Sequence, residues 1–347
     1  MDASTFDLLE ATVADVHAAF EAGELTAEAL VDRYLARIDA YDDELNAILT
    51  VNENARERAI ELDAHFESGD LVGPLHGIPV LVKDNQDTHD LPTTAGSTAL
   101  ADSLPAQDAF VVERLRDAGA VVLAKTNLQE FSFGVDTISS LGGETRNAYD
   151  RDRRPSGSSG GTAAALATNL GLLGTGSDTC SSVRSPPAFN ALVGVRPTRG
   201  LLSRSGVIPL SEAQDTAGPI ARTVEDAART LTVMAGYNPD DPVTALGVDH
   251  VPEGGYEAHL DEGGLVGARI GVVRQFFGLQ DEGSAPAEAA EAVTDVVEAA
   301  IDEMADAGAT IVDPVEVADT AFLGSARVTG YEFARDVDRY LAGLDDP

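Results

Sequence analysis

Apolar positions recur along this chain with two periods. Between Thr26 and Ala40 they fall on one face of a 3.6-residue helix, at Leu30, Tyr34, Leu35 and Ile38, and helical spacing returns over Asn52 to Phe66 and Asp108 to Ala118. A further helical stretch runs from Pro286 to Ala307. Between these lie short strand-like runs: Ala47 to Val51, Ile78 to Lys83, Ala120 to Lys125, Arg269 to Val273 and Thr310 to Val312. A strand with one wet face alternates apolar and polar residues, whereas near-continuous apolar runs mark strands covered on both faces. Helices alternating with such strands predict an α/β fold with a largely buried sheet. No internal repeat is visible, and the chain reads as one domain over 1–347. Gly236 to Gly264, acidic with several Gly and Pro, is its best candidate for a surface insertion or linker.

Charge changes the picture of the surface. The formal net charge is −36, from 59 acidic against 23 basic residues, yet 44% of residues are hydrophobic, so the chain is globular and not an acidic disordered one. The acid is spread along the whole length. Such a surface resembles that of proteins from salt-accumulating halophiles, where dense counter-ions screen self-repulsion. Direct nucleic-acid binding is disfavoured, because phosphate contacts need clustered positive charge. One cysteine permits no internal disulfide, Met1 to Thr5 carries no basic or apolar signal region, and no apolar run approaches ~20 residues. These features predict a soluble, cytoplasmic protein.

The cations are almost all arginine: there are 21, against two lysines, Lys83 and Lys125. Arginine stays protonated in proteins, so a retained lysine points to a task needing an amine that can lose its proton. Lys83 ends the apolar run Gly77-Ile78-Pro79-Val80-Leu81-Val82, where burial would lower its pKa and make it a candidate general base. Two serine-rich loops offer it something to deprotonate. One reads Arg154-Pro155-Ser156-Gly157-Ser158-Ser159-Gly160-Gly161-Thr162, ahead of the small apolar helix pattern Ala163 to Leu166; the other runs from Gly176-Ser177-Asp178-Thr179-Cys180-Ser181-Ser182-Val183-Arg184 to Phe189. Alone, Lys83 could be a strand-end lysine extending to water, and Gly/Ser loops are more often connectors than sites.

Together with Gly77 to Asn85, these segments resemble the amidase signature family, which carries a Gly-Ile-Pro…Lys-Asp strand, a Gly-Ser-Ser-Gly-Gly loop and an Asp-Thr-Gly-Gly-Ser-Ile-Arg-like loop. Ala120 to Phe131, Leu141 to Asp150 and Val207 to Thr223 look like the family's connecting segments. The resemblance implies a central mixed sheet covered by helices, and a proton-transfer chain in which Ser182 attacks a carbonyl, Ser158 relays its proton and neutral Lys83 accepts it. It implies a cis peptide bond before Ser158, and an oxyanion pocket lined by the backbone N–H groups of Thr179, Cys180, Ser181 and Ser182. Ser159, Asp178 and Arg184 match positions that brace the site by hydrogen bonds, and Lys125 matches a structural one. The sequence departs from the family at Cys180-Ser181, where Gly-Gly is usual; left-handed backbone there would cost about 1 kcal/mol or more in non-glycine residues. Family members usually continue well past the equivalent of Tyr331 to Leu344, so the resemblance implies that the C-terminal part of the family fold lies beyond this sequence.

The reaction implied is hydrolysis of a linear carboxylic amide through an acyl-enzyme on Ser182. A second reading makes the chain an A-subunit-like component of a tRNA-dependent amidotransferase, although Leu210 to Pro219 resembles stand-alone amidases more; a third is a catalytically dead binding protein. A chemical rival is the nucleophile elbow Gly157-Ser158-Ser159-Gly160-Gly161 of an α/β-hydrolase, with Ser159 attacking. It would need a downstream histidine, and only His250 and His259 follow, in a stretch that looks exposed. Nucleotide binding is disfavoured, since no Gly-Lys-Ser/Thr follows the Gly/Ser loop. His17, His65, His76 and His89 lack metal-ligand spacing, so no metal or other cofactor is expected. The partners expected are a small-molecule amide and a second copy in a homodimer, without nucleic acid or membrane.

Overall fold

A computed structural model describes residues 6–278, 287–319, 322–323 and 328–344. The chain divides into two compact units, one comprising Met1–Ala258 with Val328–Pro347 and the other His259–Arg327. The division falls inside the acidic 236–264 stretch.

The first unit is a six-stranded sheet clothed by helices. In chain order its elements begin α1 (Val13–Glu21), α2 (Ala27–Leu45), β1 (Ile48–Val51), α3 (Ala55–Phe66), β2 (Pro79–Lys83), α4 (Phe110–Asp117) and β3 (Val121–Thr126). After a short hairpin, β4 (Ile138–Ser139) and β5 (Gly143–Glu144), come α5 (Gly160–Ala167), β6 (Leu173–Asp178), α6 (Ser185–Phe189), β7 (Val193–Gly194), β8 (Thr216–Ala221) and α7 (Val224–Met234). The strand order is β1-β3-β2-β6-β8-β7. β2 runs parallel to both β3 and β6, while the outer pairs are antiparallel, so the sheet is mixed as the resemblance implied. The second unit holds β9 (Arg269–Gly271) parallel to β10 (Thr310–Val312), with α8 (Ala287–Asp306) between them in sequence. The chain returns to the first unit with α9 (Thr329–Leu341). Among the described residues no helix is long and apolar enough to cross a membrane.

The elements follow local chemistry where the pattern was strong. α2 starts at Thr26, whose side chain accepts from Ala29 N, and stops at Asn46 in the left-handed region. It buries Leu30, Tyr34 and Ile38, with Leu35 half-buried at the core's edge. β2 and β3 are buried along their whole length, as continuous apolar runs require. β6 and β8 were not anticipated as strands; Gly176 to Asp178 read as loop and instead end β6. Their Gly, Ser, Thr and Pro content is poor in β propensity, but packing overrides it. A Cβ on Gly174 would stand 2.4 Å from Thr162 Cγ2, so α5 can lie this close to β6 only over glycine.

His76 links this packing to pH. Its ring is buried among Phe20, Phe66, His17 and His65, and its Nδ1 accepts from Val72 N at 3.1 Å, a role open only to the neutral ring. Burial, with His17 and His65 adding to it, pushes its pKa from 6.5 to about 4. The unfolded chain therefore binds more protons between these values, and the contribution is complete above pH 6.5 and lost as pH falls towards 4. Urea unfolding at pH 7, 5.5 and 4.5 is expected to show a falling free energy, with a shallower fall in His76→Gln; an unchanged slope in that variant would assign the acid sensitivity elsewhere.

Candidate active site

β2 lies in the middle of the sheet, so its last residue, Lys83, is fully buried. Its Nζ donates to Ser158 Oγ at 2.7 Å and to Ser177 Oγ at 2.9 Å, with the Ser177 carbonyl more distant at 3.5 Å. No carboxylate is within ion-pair distance of Nζ among the described residues. Desolvation consequently dominates and brings the Lys83 pKa from 10.5 down to about 7, against the opposing fields of Asp178 and Asp215. Lys125, beside it on β3, is the contrast. It is equally buried but ion-paired to Asp84 at 3.1 Å, and donates to Thr93 Oγ1 at 2.8 Å, Pro92 O at 3.1 Å and Thr88 Oγ1 at 3.2 Å. One lysine is neutralised by a carboxylate; the other faces hydroxyls.

Ser158 reaches Lys83 from the loop that opens α5. The Gly157–Ser158 peptide is cis. Gln129 N donates to Ser158 O at 3.0 Å, and Gly160 N to Thr137 Oγ1 at 3.1 Å, tying the loop to the segment after β3. Gly161 is required by contact, since a Cβ there would lie 2.2 Å from Asn127 O. Ser159 is the residue before α5 and its Oγ donates weakly to Ser177 O at 3.4 Å. No histidine bonds to it among the described residues, and His250 and His259 are both exposed. The elbow arrangement of an α/β-hydrolase is therefore not assembled around Ser159.

The third segment turns sharply after β6. Asp178 Oδ2 accepts from Val183 N at 3.0 Å and from Arg184 Nε at 3.2 Å, while Oδ1 is ion-paired with Arg196 Nε at 3.2 Å. Arg184 also bonds Cys180 O, and Arg184 N and Ser185 N both donate to Ser181 O. Thr179, Cys180, Ser181 and Ser182 donate no backbone hydrogen bond among the described residues. Cys180 and Ser181 are absent from the positive-φ residues of the chain, so replacing Gly-Gly there brings no left-handed strain. Cys180 is exposed; Ser182 is buried, and its Oγ makes no hydrogen bond among the described residues. Direct bonds thus join Lys83 to Ser158, and Asp178 and Arg184 to the loop bearing Ser182, but none joins Ser182 to Ser158.

Sequence reading passed over Ser177, Asn85 and Asp215. Ser177 Oγ accepts from Asn85 Nδ2 at 3.0 Å as well as from Lys83. Asp215 accepts from Thr179 Oγ1 and from Leu210 N and Ser211 N. A faint signal existed in β6, where Thr175 and Ser177 alternate with glycine in a fully buried strand, an unusual place for hydroxyls without a task. His89, Asp90 and Asp108 also come together, which their spacing did not reveal, but Arg116 pairs with both carboxylates, at 2.6 and 3.0 Å.

The sequence pattern of the family described as Amidase matches residues 29–343. A probable amidase of Arabidopsis thaliana is 41% identical over 286 residues, which are 80% of this chain and 56% of the relative. The A subunit of the glutamyl-tRNA(Gln) amidotransferase of Alkaliphilus metalliredigens is 36% identical over 95% of this chain and 65% of its own length. This chain therefore spans less than two thirds of either relative. Among solved structures, the native peptide amidase from Stenotrophomonas maltophilia aligns with a TM-score of 0.89 at 41% identity, over 98% of this chain and 69% of that one. The corresponding amidotransferase component of Thermotoga maritima aligns at 0.76 and 28%, over 98% and 68%.

Removing the amine of Lys125 leaves Asp84 buried without its cation, and breaking one side of a buried pair costs about 3–5 kcal/mol. Lys125→Ala is expected to lose stability on that scale in urea unfolding, whereas a loss within about 1 kcal/mol, as exposed pairs give, would show that water replaces the amine.

Proposed function

We propose that this chain, which belongs to the Amidase family, hydrolyses linear carboxylic amides through an acyl-enzyme on Ser182. The observation that carries this reading is the bond of 2.7 Å between Lys83 Nζ and Ser158 Oγ, both fully buried, with the amine pKa brought to about 7 by burial. A serine hydroxyl is a poor nucleophile until a base takes its proton, and a neutral amine is such a base. Ser182 Oγ attacks the amide carbon as its proton passes through Ser158 to Lys83. The carbonyl oxygen becomes an oxyanion facing the free N–H groups of Thr179 to Ser182, where each well-aimed donor lowers the barrier by roughly 3–4 kcal/mol. The proton then returns through Ser158 to the nitrogen, the C–N bond breaks, and ammonia or an amine leaves. Water repeats the sequence on the ester, releasing carboxylate and restoring Ser182. Ser159, Asp178 and Arg184 support the loops without touching the reacting atoms.

The amidotransferase relatives favour a second reading, in which the released ammonia is passed to another protein. The closer structural likeness to peptide amidase favours release to water, and makes peptide amides the first substrates to try. Ammonia release from a panel of aliphatic, aromatic and peptide amides tests the proposal. Ser182→Ala and Lys83→Ala are each expected to lower kcat by more than about a thousand-fold, and Ser158→Ala to lower kcat with KM retained, while His250→Ala keeps the wild-type rate. Full activity in the first two would end this reading, and an inactive His250→Ala would restore the Ser159 alternative.

Lys83 must be neutral to act, so kcat/KM should rise with pH through a midpoint near 7. The net charge of −36 favours the ammonium at low salt, and the proposed halophilic character follows from the same surface. At 1 M salt the Debye length falls to about 3 Å, which removes distant carboxylates but not buried neighbours. Between low and multimolar KCl the acidic limb is expected to move to lower pH, with circular dichroism confirming folded protein at each point; a limb that stays put would refute the electrostatic part alone.

A further inference from the structure

Resting on that reading and extending it, we propose that Thr179 and Asp215 form a positioning pair, which holds the loop bearing Ser182 and its free N–H groups against the rigid end of the sheet. β6 and β8 pair antiparallel, and their last register pair is Asp178 with Thr216. One step beyond the sheet, Thr179 stands opposite Asp215, and Thr179 Oγ1 donates to Asp215 Oδ1 at 2.5 Å. The side chains thus continue the ladder by one residue past the last backbone pair. The carboxylate is itself held, because Oδ2 accepts from Leu210 N at 2.8 Å and Ser211 N at 2.9 Å. A hydroxyl-to-carboxylate bond is charge-assisted, and both residues are buried, where water competes little.

At the far end of the loop, Asp178 holds Val183 N. The turn is tied at Thr179 and again immediately after Ser182, while the N–H groups between the ties remain available. Oxyanion donors lower a barrier only if they are aimed before the reaction begins, and a misplacement of about 1 Å can cost on the order of a hundred-fold.

Asp215 also faces Lys83, as Asp178 does from the end of β6. α5, packed on β2, carries no titratable side chain, and Lys125 of β3 is occupied by Asp84. Asp215 also borders a cavity of about 290 Å³ whose other charged lining residues are Arg204, Glu212, Asp240, Asp241, Asp336 and Arg339. Replacing Asp215 with a neutral residue removes one of the two carboxylates that favour the ammonium of Lys83, so the acidic limb should move to lower pH.

Thr179→Val, Thr179→Ser, Asp215→Asn and the Val/Asn double variant, assayed for kcat, KM and pH profile on the best amide of the panel, test the pair. Thr179→Val is expected to lower kcat about ten- to hundred-fold with KM changed less than about two-fold, and Thr179→Ser to restore it. Asp215→Asn should lower kcat and move the acidic limb down, and adding Thr179→Val to it should cost less than Thr179→Val alone costs the wild type, because the charge-assisted bond is already reduced to a neutral one. A wild-type kcat in Thr179→Val, or losses that multiply in the double variant, would overturn the proposal. If Asp215→Asn does not fold, the nearly isosteric Thr179→Val and its Ser counterpart decide alone. Failure of the underlying amidase reading would show separately, as activity retained in Lys83→Ala and Ser182→Ala.

Discussion

An amine buried without a counter-charge is the constraint around which this structure is arranged. Taking an ammonium out of water is costly, and proteins answer either by pairing it or by letting it go neutral. This chain does both, on adjacent strands. Lys125 is paired with Asp84 and serves the core; Lys83 is given hydroxyls and a carbonyl, and its proton becomes exchangeable near neutral pH. The difference lies in partners, since burial is the same for both.

Holding such an amine requires rigid surroundings on every side. β2 delivers Lys83 from the middle of the sheet, the loop that opens α5 brings Ser158, and β6 supplies Ser177. Close approach of α5 depends on glycines at 161 and 174, whose missing side chains leave space for Asn127 O and Thr162. The turn after β6 is held by carboxylates, Asp178 within the strand and Asp215 across from it. Acid groups here act as acceptors for N–H and O–H donors, in contrast to the solvated acid of the surface. The latter reaches Lys83 only through a long-range field that salt can screen.

The hydrophobic pattern and a few residue types determined much by themselves. The buried strands within Ile78–Lys83 and Ala120–Lys125 were legible because full burial demands unbroken apolar runs, whereas Ala47–Val51 forms an edge strand that is only half-buried, and Lys83 stood out because an amine at the end of such a run is chemically exposed to desolvation. The serine loops were legible through their motifs. Tertiary structure alone decided the rest. β6 and β8 are strands because neighbours pair with them and α5 presses on them, not through their own propensity. Ser177, Asn85 and Asp215 join the site from positions 177, 85 and 215, brought together by sheet order. Whether a buried lysine is a partnered strut or a free base depends on which oxygen lies within 3 Å or so of its nitrogen, and a linear sequence carries the residues but not that distance.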